Sequence, residues 1–127
     1  MNFKTYLLAV ASFWLVLSCS EDDSDLLNME QNDCKISQGL SPNQDGLNDN
    51  FDLSCLADRT GIKNLEIFDR NGRLIYEKAN YRDEFVGQNN DGDDLVTGTY
   101  FYVIAFDSED SEYGSEMQGN LYINVEQ

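Results

Sequence analysis

Leu65-Glu66-Ile67-Phe68-Asp69-Arg70-Asn71-Gly72-Arg73-Leu74-Ile75-Tyr76-Glu77 is the stretch that decides the fold class of this chain. Two short runs, 65–69 and 73–77, flank Arg70-Asn71-Gly72, and in each run apolar side chains alternate with polar ones. Alternation with a period of two gives a strand one buried and one wet face. Asn-Gly between two such runs is a hairpin turn, because both residue types tolerate positive φ.

The same pattern continues outward. Asn50-Phe51-Asp52-Leu53-Ser54-Cys55 and Asn120-Leu121-Tyr122-Ile123-Asn124-Val125 alternate cleanly and are expected to be half-buried strands. Thr99-Tyr100-Phe101-Tyr102-Val103-Ile104-Ala105-Phe106 is apolar on both faces and should be a central strand, its aromatics serving as core. Asp107 to Gly114 reads as a polar turn. No stretch keeps a helical period, and no internal repeat is visible. Short strands between turn clusters predict an all-β domain over 34–127, an antiparallel immunoglobulin-like sandwich of about seven strands.

The start of the chain has a different character. Lys4 precedes an apolar run from Tyr6 to Ser18, the layout of a secretory signal peptide over 1–18. The run is short of the roughly 20 residues that cross a bilayer as a helix. Leu17-Ser18-Cys19 resembles a bacterial lipobox, which makes Cys19 the expected lipidation site. Several acyl chains at about 0.8 kcal/mol per buried methylene would hold the protein durably on a membrane. Residues 19–33 read as an acidic, solvated tether. Its first residues after the cysteine, Ser20-Glu21-Asp22-Asp23, resemble the export signal of surface lipoproteins in Bacteroidetes. An outer-membrane protein facing the cell surface is therefore expected, with a periplasm-facing anchor as the alternative.

The chain carries 24 Asp and Glu against 8 Lys and Arg, a formal −16. Removing 1–18 takes away Lys4 and no acid. Such a surface repels nucleic acid and anionic headgroups, so divalent cations or a basic partner are its natural complements. With Cys19 given to lipid, Cys34 and Cys55 remain as a pair in an oxidising compartment, both at inward parity in their expected strands. A disulfide between them would stabilise a small domain by about 3 kcal/mol.

Three blocks occur in order: Gly39-Leu40-Ser41-Pro42-Asn43-Gln44-Asp45-Gly46-Leu47-Asn48-Asp49-Asn50-Phe51, then 65–77, then Gly98-Thr99-Tyr100-Phe101-Tyr102. Together they resemble the gliding-motility-associated C-terminal domain family, the type B sorting domains of the type IX secretion system. The resemblance implies an immunoglobulin-like sandwich that directs export and docks on a PorP/SprF-type outer-membrane barrel. Ser41, Pro42, Asn43, Asp45, Gly46, Asn48 and Asp49 form the family-motif loop and the implied partner contact. Four departures stand out: Gln44 where the family has Gly, Phe85-Val86-Gly87 where it has aromatic-Asp-Gly, Asn71-Gly72 where it has Trp-Gly, and no Pro just before Gly98. Family members trail a large cargo, whereas here a lipid anchor and tether precede the domain. This points to an accessory that engages the secretion machinery itself.

Other chemistries are weaker. The loops 41–49 and 88–94 concentrate oxygen ligands, which makes Asn43, Asp45, Asn48, Asp49, Asp91 and Asp93 the candidates for calcium. Ser41, Asn43, Asp45, Gly46 and Asp52 even track part of the EF-hand spacing. Tight turns select the same residues without a metal. There is no His, no GxSxG and no spare nucleophilic Cys, so no enzyme is expected. A calcium-dependent adhesive or carbohydrate-binding module and an orphan secretion substrate are the alternative functions.

Overall fold

The structure, a computed structural model, describes residues 34–125. The expected signal peptide, the Cys19 lipidation site, Ser20-Glu21-Asp22-Asp23 and the rest of the tether lie outside the described residues. Within them the chain is mostly β. The elements in order are β1 (Gly39–Leu40), α1 (Ser54–Thr60), β2 (Ile62–Phe68), β3 (Leu74–Ala79), β4 (Gly98–Asp110) and β5 (Gly114–Ile123). They form one mixed sheet in the order β1-β5-β4-β2-β3, in which only β1 pairs in parallel.

β4 is the central strand, as its sequence predicts. Tyr100, Tyr102, Ile104 and Phe106 point inward and are buried. Phe101 faces the other way and stays 45% exposed, so not every aromatic of this strand is core. Leu65 and Ile67 of β2, Tyr76 of β3, and Leu121 and Ile123 of β5 complete the inner face. Each such side chain contributes about 1.5–3 kcal/mol when fully buried.

The hairpin forms where Asn71-Gly72 places it, with a longer loop than two residues. The Asp69 N–H donates to the Arg73 carbonyl at 2.9 Å, and the Gly72 N–H to the Asp69 carbonyl at 3.0 Å. Gly72 alone takes positive φ, at 79°. This is a turn closed by a glycine bulge. The Asp69 carboxylate accepts the N–H groups of Asn71 and Arg73 and pairs with the Arg73 guanidinium. These contacts, the Arg73 N–H foremost, hold Asp69 below the usual carboxylate range.

The domain is all-β and sandwich-like, with five strands instead of about seven. The layer facing the sheet is not a second sheet. It consists of α1, the extended segment around Phe51 and Leu53, and the loop carrying Tyr81 and Phe85, all contributing to one core. Phe51 meets Tyr102, and Phe85 meets Tyr76, at ring separations of 5.1 and 4.8 Å. The expected strand 50–55 is corrected accordingly. Phe51 and Leu53 do alternate inward, but their N–H groups go to the Phe85 carbonyl and the Asp83 carboxylate instead of a ladder. The Asp52 carboxylate then accepts the Ser54 N–H and the chain turns into α1. Burial of Leu56 and Thr60, four apart, is the helix's only periodic signal.

Cys55 therefore stands on the first turn of α1, exposed, and Cys34 lies half-buried outside any strand. The inward strand parity expected of both is not found. The two are nevertheless joined, with Cα atoms 5.7 Å apart.

Tyr81 ties the covering layer together. Its hydroxyl donates to the Phe51 carbonyl at 2.6 Å and accepts the Phe85 N–H at 3.2 Å. Burial pushes this phenol well above its ordinary pKa. At the other end of the sheet, the polar stretch after Phe106 is not wholly turn. β4 runs on to Asp110, whose enclosed carboxylate accepts the Glu112 and Tyr113 N–H groups and the Arg59 Nε–H at 2.6 Å. Arg59 of α1 also lies over the Tyr113 ring, 5.7 Å from its centre, and so fastens the helix to the β4–β5 turn.

Candidate functional site

The motif loop 41–49 leaves β1 and is held almost entirely by its own polar groups. The Ser41 N–H donates to the Asn48 carbonyl and the Asn43 N–H to the Ser41 carbonyl, each at 2.8 Å. Asp49 closes the loop from inside: Oδ1 accepts the Gln44 N–H and Oδ2 the Gly46 N–H, both at 2.7 Å. Asn43 Oδ1 accepts the Asp45 N–H, and Asp45 Oδ1 accepts the Leu47 N–H. Asn and Asp side chains that mimic backbone acceptors are what turns of this kind require. Three consecutive even positions, Gln44, Gly46 and Asn48, take positive φ, at 63°, 86° and 53°.

Gln44 is the costly member, because an L side chain in the left-handed region crowds its own backbone. The family's glycine at that position is thereby explained in physical terms. The result is a rigid knuckle with Leu47 at its tip, 70% exposed.

Beside the knuckle runs a groove of about 760 Å³. Pro42, Gln44, Gly46 and Asp49 form one wall, and Val86, Gly87, Asp94 and Val125 the other. Its mouth is apolar where Val86 stands and acidic where Asp94 stands. Gly87 takes φ 88°, a left-handed conformation that favours glycine, with Leu40, Pro42 and Ile123 around it. Val86, Asp94 and Val125 were not among the expected site residues. A Val beside Gly in a polar stretch, and a Leu at a loop tip, are the only local signs of them. Their assembly is a long-range fact that spacing does not carry.

The second oxygen-rich loop folds differently. Asn89 repeats the role of Asp69, its Oδ1 accepting the Asp91 and Asp93 N–H groups at 2.9 Å, with Gly92 at φ 88°. The loop is thus a copy of the 69–73 turn. Of the calcium candidates, the structure brings Asn43, Asp45, Asn48 and Asp49 into the knuckle, and leaves Asp91 and Asp93 in their own turn. Among the described residues no three His, Cys, Asp or Glu side chains come together in a metal-holding group. Side-chain oxygens have a structural task in both loops: those of Asn43, Asp45 and Asp49 in the first and of Asn89 in the second accept backbone N–H groups.

The order of the blocks, the knuckle and the strand pairing now bear on family. Residues 34–123 match the CHU_C type IX secretion signal domain. The chain belongs to this family. No curated protein and no solved structure matches it. The resemblance to type IX sorting domains is thus shown over nearly all of the described residues. A type IX secretion signal domain serves sorting rather than catalysis, in agreement with the expected lack of an enzyme activity. It ties the protein to the secretion system, as component or substrate, and to the cell surface or outer membrane.

Proposed function

We propose that this protein is an outer-membrane lipoprotein, anchored through Cys19, whose type IX secretion signal domain docks on a PorP/SprF-type barrel of the gliding or secretion apparatus. The knuckle and its groove are the contact. The observation that carries this reading is the stiffness of loop 41–49: its amides are tied to Asn43, Asp45 and Asp49, so Leu47 and Pro42 are presented beside Val86 without a large ordering cost on binding. An apolar tip beside a groove is the layout of an interface anchor and its pocket. Lipidation is supported by Leu17-Ser18-Cys19 after the apolar run, and surface exposure by Ser20-Glu21-Asp22-Asp23.

The test places a photo-crosslinking residue at Leu47 in the full-length protein in its native membrane. The expected product is an adduct with a barrel of this type, lost when the crosslinker is moved to Lys63 on β2. Mass spectrometry of the mature N-terminus checks the anchor in the same preparation, since acylation adds a large mass at Cys19. An unacylated protein recovered from the medium would instead mark it as a secretion substrate.

A further inference from the structure

β5 is paired along one whole side by β4, but along its other side only at Tyr122 and Ile123, by β1. Tyr122 and Asn124 give their N–H groups to the carbonyls of Gln38 and Leu40. Backbone groups of an antiparallel strand alternate in direction. The N–H and C=O groups of Glu116, Gln118 and Asn120 therefore point the same way, away from β4. Among the described residues no strand lies along the side they face, and all three residues are exposed.

The opposite edge of the sheet is treated differently. On β3 the Asn90 N–H donates to the Ile75 carbonyl at 3.1 Å, and Asn90 Oδ1 accepts the Glu77 N–H at 2.9 Å. A side chain and a loop thus occupy the places of a neighbouring strand, one of the usual ways of blocking an edge. Among the described residues one edge is capped and the other is left open.

We propose that the open edge of β5, from Glu116 to Asn120, receives an extended cationic segment of another protein as an additional strand. Main-chain hydrogen bonds would supply the pairing, and alternate side chains the selection. The outer face beside this edge offers a shallow groove lined by Phe101, Val103, Gln118 and Asn120, with Tyr122 48% exposed at its end. Charge selects the occupant. The chain carries −16, and Glu116 stands on the edge itself, so a second copy would bring a like-charged surface to this edge. A strand bearing Lys or Arg meets opposite charge. This surface is separate from the knuckle and does not depend on it.

Amide hydrogen exchange on the full-length protein tests the assignment, with a short capped peptide alternating valine and lysine as probe and its valine–glutamate counterpart as control. The lysine peptide is expected to slow exchange at Glu116, Gln118 and Asn120 by about tenfold or more. The glutamate peptide should leave them unchanged. Gln118→Pro removes an edge donor without touching the β4 ladder, and should abolish the protection. If that variant fails to fold, crosslinking of the lysine peptide to a photoreactive residue at Asn120, set against one at Lys63, replaces it. Equal protection by both peptides, protection by neither, or protection that grows with protein concentration alone would each overturn the proposal.

Discussion

Tyr102 on β4 lies across Gly119 on β5, and its ring occupies the space in which any side chain at that position would stand. The pair directly opposes in the ladder, and Phe51 packs on the ring from the covering layer. The ring is buried, so yielding would disturb its packing. Gly119→Ala should therefore destabilise by about 1–3 kcal/mol, the usual cost of overfilling a core. Gly119→Ala in a Tyr102→Leu background should cost less. Denaturant unfolding of the single and double variants measures the coupling.

Tyr81 makes a second prediction. Phe substitution keeps the ring and removes the hydroxyl that links the Phe51 carbonyl to the Phe85 N–H. Both partners are buried, so Tyr81→Phe should lose about 1–3 kcal/mol. A loss close to zero in urea melts would mean that the Phe51 N–H bond to the Phe85 carbonyl suffices to hold the two segments together.

Gln44 is predicted to be improvable. Its φ of 63° costs about 1–2 kcal/mol for a residue with a Cβ. Glycine removes that cost and adds about 0.5–1 kcal/mol of unfolded-chain entropy. Gln44→Gly should thus gain about 0.5–1 kcal/mol, seen as a rise in Tm, whereas Gln44→Val should lower it.

The last prediction concerns acid. Desolvation works to raise the Asp110 pKa, but the Glu112 and Tyr113 N–H groups and Arg59 outweigh it and hold the carboxyl below its ordinary value. A depressed folded pKa means that the stabilisation is fully present above the unfolded value, about 3.9, and is lost as pH falls through the folded one. Tm should fall between neutral pH and pH about 2. Asp110→Asn should lower Tm at neutral pH and flatten part of this acid limb. A parallel acid limb in the variant would assign the effect to other carboxylates, Asp52 and Asp69 being the first to consider.

Much of this architecture is readable from residue order. Leu65 to Glu77 announces its hairpin, and Tyr100 to Phe106 its central place, because alternation and turn chemistry are local. α1 is missed because a helix of seven residues buries only Leu56 and Thr60, too few to set a period against the Phe51–Leu53 alternation. The strand count is overestimated because the alternating Phe51 and Leu53 bond to the Phe85 carbonyl and the Asp83 carboxylate outside any ladder, Cys34 lies in no strand, and the stretch from Tyr81 to Thr97 closes into turns. Val86 donates its N–H to Gln88, Asn89 closes its own turn, and Asn90 serves β3. At the candidate site the knuckle is legible as Ser41 to Asp49. The facing wall of Val86, Asp94 and Val125 is not, since only the closed fold brings those three together.

The bridge between Cys34 and Cys55 also fixes a route for force. Any pull on the chain ahead of Cys34 passes through sulfur into α1 and from there, by way of Arg59, toward the β4–β5 turn. The covalent path through the disulfide bypasses residues 35–54. β1, with only two paired residues, is spared from peeling, and the knuckle keeps its shape under traction that would strip it from an unbridged domain.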